Sequence, residues 1–176
     1  LAADDNAGFA NCDFEQGVTG WGVWYSDDRN AVMTRYPYSA DSAVAHGGRQ
    51  SLKIVAADEN GCAFVTRSST AMQPGARYEA GYWFRKTAEL DERAFHVKFN
   101  FRPADKAKAE WKMKSIELLP TRRKTEGEWQ YRAGYVRVPK DAGSPASIGF
   151  YLKEARGTIW IDDVQIRINV FEIITP

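Results

Sequence analysis

Four carboxylates stand in two close pairs near opposite ends of this sequence, Asp13 with Glu15 and Asp162 with Asp163. In an extended segment Asp13 and Glu15 point to one side while Phe14 points into a core. If the first and last strands of the fold lie together, the second pair approaches the first. Oxygen donors gathered in this way suit a hard divalent cation. Calcium takes roughly 6–8 oxygen ligands at about 2.3–2.6 Å and mixes carboxylates with backbone carbonyls, which the turn from Gly47 to Gln50 can present. Its role there would be structural. Read more simply, the same residues are solvated carboxylates at strand ends.

A second set of residues is aromatic and polar. Sugars offer apolar C–H faces and hydroxyls, so a site for them needs flat rings flanked by hydrogen-bonding groups. Trp83 has Glu79 and Arg85 at even spacing along one segment, and Tyr151 has Lys153. His96, Lys98 and Asn100 alternate along a third. If these segments neighbour one another in one sheet, they form an open platform of two rings with amide, imidazole and cationic donors. Glu79 would accept from hydroxyls, and Trp24, Tyr25 and Trp111 would line the edges. Arg85, Lys98, Arg102 and Lys153 against the single acid Glu79 would suit a uronic-acid polymer through charge-assisted contacts, while a neutral glycan fits the rings equally well. The structural alternative is that Trp83 packs under a loop on the outside of its sheet. Trp21, Trp129 and Trp160 read as core or loop-packing residues.

The elements that must position these side chains are strands. From Arg77 to Arg85, Tyr78, Ala80, Tyr82 and Phe84 alternate with Glu79, Gly81, Trp83 and Arg85, a period of two. Phe95, Val97, Phe99 and Phe101 alternate with His96, Lys98, Asn100 and Arg102, and Ile148, Phe150 and Leu152 with Gly149, Tyr151 and Lys153. Turn signals at Gly47-Gly48, Asn60-Gly61, Pro74-Gly75, Glu126-Gly127 and Asp141 to Pro145 separate about ten to twelve short strands. Ala104 to Lys114 alone is helix-compatible, and suits an exposed loop equally. The chain of 176 residues fits one domain, and the prediction is an all-β, two-sheet antiparallel sandwich. Its core spans about residues 9–168, with 169–176 a tail or a lead into a further module.

Five segments, in order, carry a resemblance. Asn11-Cys12-Asp13-Phe14-Glu15 with Gly17 and Gly20-Trp21 is similar to the opening of the carbohydrate-binding modules of families 4, 9, 16 and 22, with Cys12 where that superfamily has glycine. Gly48 to Ile54 resembles its "G-x-x-S-L-x-V" strand, and Pro74-Gly75 with Tyr78 its "P-G-x-x-Y" entry. Gly127-Glu128-Trp129 and Ile159 to Val164 resemble its "G-x-W" and closing "D-D-V" segments. The resemblance implies a jelly roll of the galactose-binding-domain type that binds polysaccharide on its concave sheet, with Trp83 and Tyr151 at matching positions. It also implies a structural calcium held by Glu15 and one of Asp162 and Asp163, with carbonyls from Asp13 and the Gly48–Arg49 turn.

Other chemistries lack their residues. His46 and His96 are the only histidines, neither in a triad motif, and no phosphate loop, zinc spacing or dinucleotide fingerprint occurs. Twenty-four basic and 23 acidic residues are interspersed, without the basic stripe of a nucleic-acid binder. No apolar run approaches the ~20 residues of a membrane-spanning helix. Cys12 and Cys62 fit either a disulfide or two buried thiols. The start at Leu1 suggests a processed or excised product, with a signal peptide removed or a module cut from a longer enzyme. The expected role is that of a secreted or cell-surface module attached to or accompanying a polysaccharide-degrading enzyme. Shallow sugar grooves hold ligand with about −4 to −7 kcal/mol, high-micromolar to millimolar affinity. The alternatives are a structural or protein-binding domain, and a small jelly-roll lyase or hydrolase, since glycoside hydrolysis needs only two carboxylates.

Overall fold

The computed structural model describes residues 6–23, 32–105 and 113–169. Among them twelve strands form two sheets. The first sheet runs β1 (Gly22–Val23), β5 (Gly61–Ser69), β11 (Ala142–Lys153), β7 (Phe95–Pro103), β8 (Lys114–Glu117), with β2 (Thr34–Arg35) pairing parallel to β5. The second runs β3 (Tyr38–Asp41), β4 (Ser51–Ala56), β12 (Gly157–Ile168), β6 (Arg77–Lys86), β10 (Trp129–Arg137), β9 (Pro120–Glu126). All other pairings are antiparallel. The fold is the all-β antiparallel sandwich of a jelly roll.

The period-two segments explain why the sheets stack. Tyr78, Ala80, Tyr82 and Phe84 of β6 face inward, and so do Phe95, Val97, Phe99 and Phe101 of β7 and Ile148, Phe150 and Leu152 of β11. Tyr82 of the second sheet meets Phe95 and Phe150 of the first with ring centroids 6.0 and 6.3 Å apart, and Trp21 stacks on Phe150 at 5.4 Å. Each such fully buried side chain contributes about 1.5–3 kcal/mol.

The opening segment differs from the extended conformation expected of it. Residues 6–20 form turns rather than a strand, and Asn11 is the hub. Its Oδ1 accepts from the Gln16 amide at 3.0 Å, its Nδ2 donates to the carbonyls of Gly17 and Thr19, and its own carbonyl accepts from Trp21 Nε1 at 2.9 Å. Phe14 reaches the core, fully buried 5.1 Å from Trp21, but with φ of 55°. A bulky residue in that region is held by its surroundings. Local hydrogen bonding by Asn11 competes with a strand ladder, a signal the alternation rule does not contain. The segment still packs on the last strand, with the Val164 amide donating to the Cys12 carbonyl at 3.0 Å. Cys12 and Cys62 are two separate buried thiols. The helix-compatible stretch lies mostly in 106–112, outside the described residues, as do Trp24, Tyr25, Trp111 and the tail beyond 169.

Candidate functional site

The outward face of the first sheet brings together five of the residues expected on a sugar platform. Tyr151 and Lys153 project from β11, and His96, Lys98 and Asn100 from β7, with Tyr151 directly opposite His96 in the register. The Tyr151 ring rests on Phe64 of β5, centroids 4.8 Å apart. Asn100, only 3% exposed, fixes its hydroxyl: Nδ2 donates to Tyr151 Oη at 2.8 Å and to Ser147 Oγ at 3.4 Å, while Oδ1 accepts from Ser115 Oγ at 2.9 Å. Because Oη already accepts from Asn100, its own proton is left to donate outward. Burial pushes the phenol's pKa up, against the Asn100 hydrogen bond, so this proton is retained. Lys98 Nζ lies 5.3 Å from the Tyr151 ring centroid, and His96 Nδ1 bonds Glu117 at 2.6 Å. Beside Asn100 a groove of about 370 Å³ is lined by Thr66, Ser68 and Ser147 together with Arg67 and Arg102.

Phe64, Ser147 and Gly149 were not singled out from sequence, though alternation could have found the first, flanked by the inward Ala63 and Val65. Gly149 carries the clearer signal, a glycine inside a strand. A Cβ there would stand 2.5 Å from Tyr151 Cε2 and 3.0 Å from Thr66 Cγ2, so its absence lets the Tyr151 ring lie down on the sheet.

Trp83, Arg85 and Glu79 do not join this platform. Their strand, β6, lies in the second sheet between β12 and β10, so they project from the opposite side of the sandwich. Trp83 is 8% exposed beneath the loop before β4, with the His46 ring stacked on it at 3.9 Å and 16°, and Tyr131 at 5.3 Å. Arg85 pairs with Glu128 at 2.7 Å, and Glu79 pairs with Arg122. Trp21 is core, Trp129 is buried at the edge of the His46 ring, and half-buried Trp160 donates Nε1 to Asp41 at 2.9 Å. Alternation along β6 says which residues face out, but not from which sheet.

The acidic pairs meet around the turn that follows His46. Arg49 and Gln50 amides donate to Glu15 Oε1 at 2.7 and 3.2 Å, Asp13 Oδ1 accepts from the Glu15 amide, and Arg49 Nε lies 3.1 Å from Glu15 Oε2. On the other flank Asp162, fully buried, accepts from the amides of His46, Gly47 and Asp163 at 2.8, 3.1 and 2.8 Å. Asp163 Oδ2 contacts His46 Nδ1 at 2.7 Å. A Cβ on Gly47 would come within 2.6 Å of Asp163 Oδ2, and one on Gly48, whose φ is +58°, would meet the Glu15 carboxylate. Two carboxylates thus grip the glycine turn from either side. Among the described residues no three metal-ligating side chains converge. The donors fit calcium in chemical type, as one or two carboxylates completed by turn carbonyls, rather than as a carboxylate cage.

These carboxyls titrate in opposite senses. Burial pushes Asp162 up to about 6, helped by the neighbouring Asp163 and opposed by its N–H donors, whereas the Arg49 amide holds Glu15 below its ordinary range. A carboxyl raised by folding binds its proton more tightly in the native state. Asp162 therefore makes stability fall as pH rises from about 4 to about 6, with its full penalty standing above that window. Glu15 contributes stability above its ordinary pKa that is lost as pH falls through its lowered one. In chelator, thermal unfolding of Asp162→Asn is expected to lack the decline across about pH 4–6 expected of the wild type, while being less stable at its low end because a side-chain amide turns N–H toward backbone donors.

No protein-family model matches the sequence, and a search of curated proteins finds no match. Solved structures do share the architecture. A family 16 carbohydrate-binding module aligns with TM-score 0.63 at 21% identity, over 90% of this chain and 98% of its own. A xylan-binding domain from carbohydrate-binding family 22 aligns with TM-score 0.63 at 15% identity, over 92% and 96%. The family 22 and glycoside hydrolase 10 modules of a Clostridium thermocellum endo-1,4-β-D-xylanase, complexed with xylohexaose, align at 0.61 and 12%, over 92% of this chain and 27% of that one. The fold is that of the carbohydrate-binding jelly rolls of families 16 and 22.

Proposed function

We propose that this chain is a non-catalytic carbohydrate-binding module whose ligand lies along the outward face of the first sheet. The observation that carries this reading is Tyr151, a half-buried ring laid on the sheet by Gly149 and Phe64, with its hydroxyl fixed by a buried Asn100. A ring and a positioned O–H donor, linked through Asn100 to a groove lined by Thr66, Ser68 and Ser147, suit a glycan's C–H face and hydroxyls. The ligand class is a polysaccharide, either a neutral plant-type glycan or a uronic-acid polymer, and structural neighbours described as xylan-binding support it. Binding would keep an attached or companion polysaccharide-degrading enzyme at its substrate, in a secreted or cell-surface setting. A neighbour that combines such a module with a hydrolase supports the attachment. The four clustered carboxylates lie at the Gly47–Gly48 turn rather than in the groove, which favours binding over hydrolysis.

Affinity electrophoresis against xylan, β-glucan, mannan and uronic-acid polymers tests this directly. Retardation by one class is expected, and release of oligosaccharide or unsaturated product would replace the reading with an enzymatic one. Absence of retardation on every gel would favour a protein-binding or structural domain.

A structural calcium belongs to the same proposal, held by Glu15 and one of Asp162 and Asp163 with carbonyls of Asp13 and Arg49. It would offset the repulsion of the two adjacent aspartates and tie the opening turns to the last strand. Chelator is expected to lower the melting temperature by several degrees, restored by calcium and not by magnesium, whose smaller shell resists this irregular donor set. An unchanged melt with no metal by elemental analysis would refute the site.

A further inference from the structure

We propose that the first-sheet groove selects an acidic polysaccharide, one bearing uronate carboxylates, and that Lys98 is the cation that reads them; this rests on the polysaccharide-binding reading above. Lys98 is half-buried on β7, with its Nζ 5.3 Å from the Tyr151 ring centroid. The register sets it opposite Glu117 of β8, the natural counter-ion across a sheet. Glu117, however, is taken by His96 Nδ1 at 2.6 Å. Among the described residues Lys98 has no carboxylate partner, and no carboxylate lines the neighbouring groove. The ammonium is thus held over the ring where a sugar would stack, with its charge unanswered by the protein.

Cations outnumber acids on the rest of the face, where Glu117 is held by His96. Arg102 follows on β7 and lines the groove, and Lys153 follows Tyr151 on β11, with its Nζ 3.8 Å from Glu154 Oε1. This bias is local, because the chain as a whole carries 24 basic and 23 acidic residues. The opposite face makes the contrast. There Arg85, Arg122 and Lys53 are each answered by a carboxylate, of Glu128, Glu79 and Asp41. An uncompensated cation beside a stacking ring matches a sugar that presents a C–H face and a carboxylate together. The charge-assisted hydrogen bond it offers is about twice as strong as one to a neutral hydroxyl.

The test pairs each acidic polymer with its own carboxyl-reduced form, using polygalacturonate and glucuronoxylan in affinity electrophoresis and titration calorimetry. The acidic form of at least one is expected to bind about tenfold tighter than its reduced form, with the advantage shrinking as salt rises. Lys98→Gln, verified as folded by its melt, is expected to flatten that ratio. Equal binding of every acidic and reduced pair, binding of neutral glycans alone, or a Lys98→Gln protein that keeps the ratio would each overturn the inference while the binding module stands. Failure of acidic, reduced and neutral polymers alike would remove the binding reading itself.

Discussion

Trp83→Ala is expected to cost about 3–5 kcal/mol of stability, on the order of 10 °C in melting temperature, and to leave polysaccharide affinity of the folded protein unchanged. Trp83 lies on the outward side of β6 and is nonetheless only 8% exposed. The His46 ring lies flat on it at 3.9 Å, and Lys124 approaches its face at 5.3 Å. The stacked histidine belongs to the turn whose amides satisfy the buried Asp162. Removing the indole therefore opens a cavity and also unseats a loop that covers a buried carboxylate. The measurement is a melt of the variant followed by affinity electrophoresis well below its transition. A variant that melts like the wild type but loses retardation would move the binding site to the second sheet.

This expectation reverses the role that the sequence implied for Trp83, and the reason lies in what alternation encodes. A period of two assigns a side chain to the inner or outer face of its own strand. It does not say which strands are neighbours, since sequential segments can pair within a sheet or cross to the other. The β6 and β7 segments follow each other closely, and their outward residues read naturally as one surface. In the fold the chain passes from one sheet to the other at Glu92–Ala94, so Trp83 and Lys98 leave opposite faces. The inward residues needed no such knowledge, and Tyr82, Phe95 and Phe150 meet at the centre as the pattern implies. Tyr151, Lys98 and Asn100 also lie together as expected, because β7 and β11 do pair. The turn around Glu15 was legible as a meeting of two acidic pairs, but its conformation was not. It depends on Asn11 bonding residues up to ten positions away, and on a positive φ at Phe14. Neither feature has a periodic signature.

The charge assignment was split by the same limit. Arg85 counted toward a basic face from sequence and Glu79 as the single acid against it, yet each is neutralised by an ion pair on the second sheet. Lys98 remains on the first without an ion pair among the described residues, while Lys153 there lies 3.8 Å from Glu154. A cation's worth to a ligand depends on whether the protein has already answered it, and that answer comes from cross-strand neighbours that only the register identifies.

Tyr151→Ala is expected to lower polysaccharide affinity by about 10- to 100-fold with little loss of stability. A ring that stacks on a sugar contributes roughly 1.5–3 kcal/mol through the apolar area it removes from water. Starting from high-micromolar to millimolar binding, such a loss abolishes retardation at usable polymer concentrations. The fold should tolerate it, because Tyr151 is half-buried on the outward face and its ring packs on Phe64 rather than into the core between the sheets. Tyr151→Phe separates the two functions of the residue. It keeps the ring and removes the hydroxyl that donates outward and accepts from Asn100 Nδ2. Its expected cost is about 2- to 10-fold in affinity, the range of one hydrogen bond, because the stacking surface survives. If Tyr151→Phe were as damaging as Tyr151→Ala, the hydroxyl rather than the ring would hold the ligand. If both were silent in folded protein, the groove beside Asn100 would have to bind without the ring.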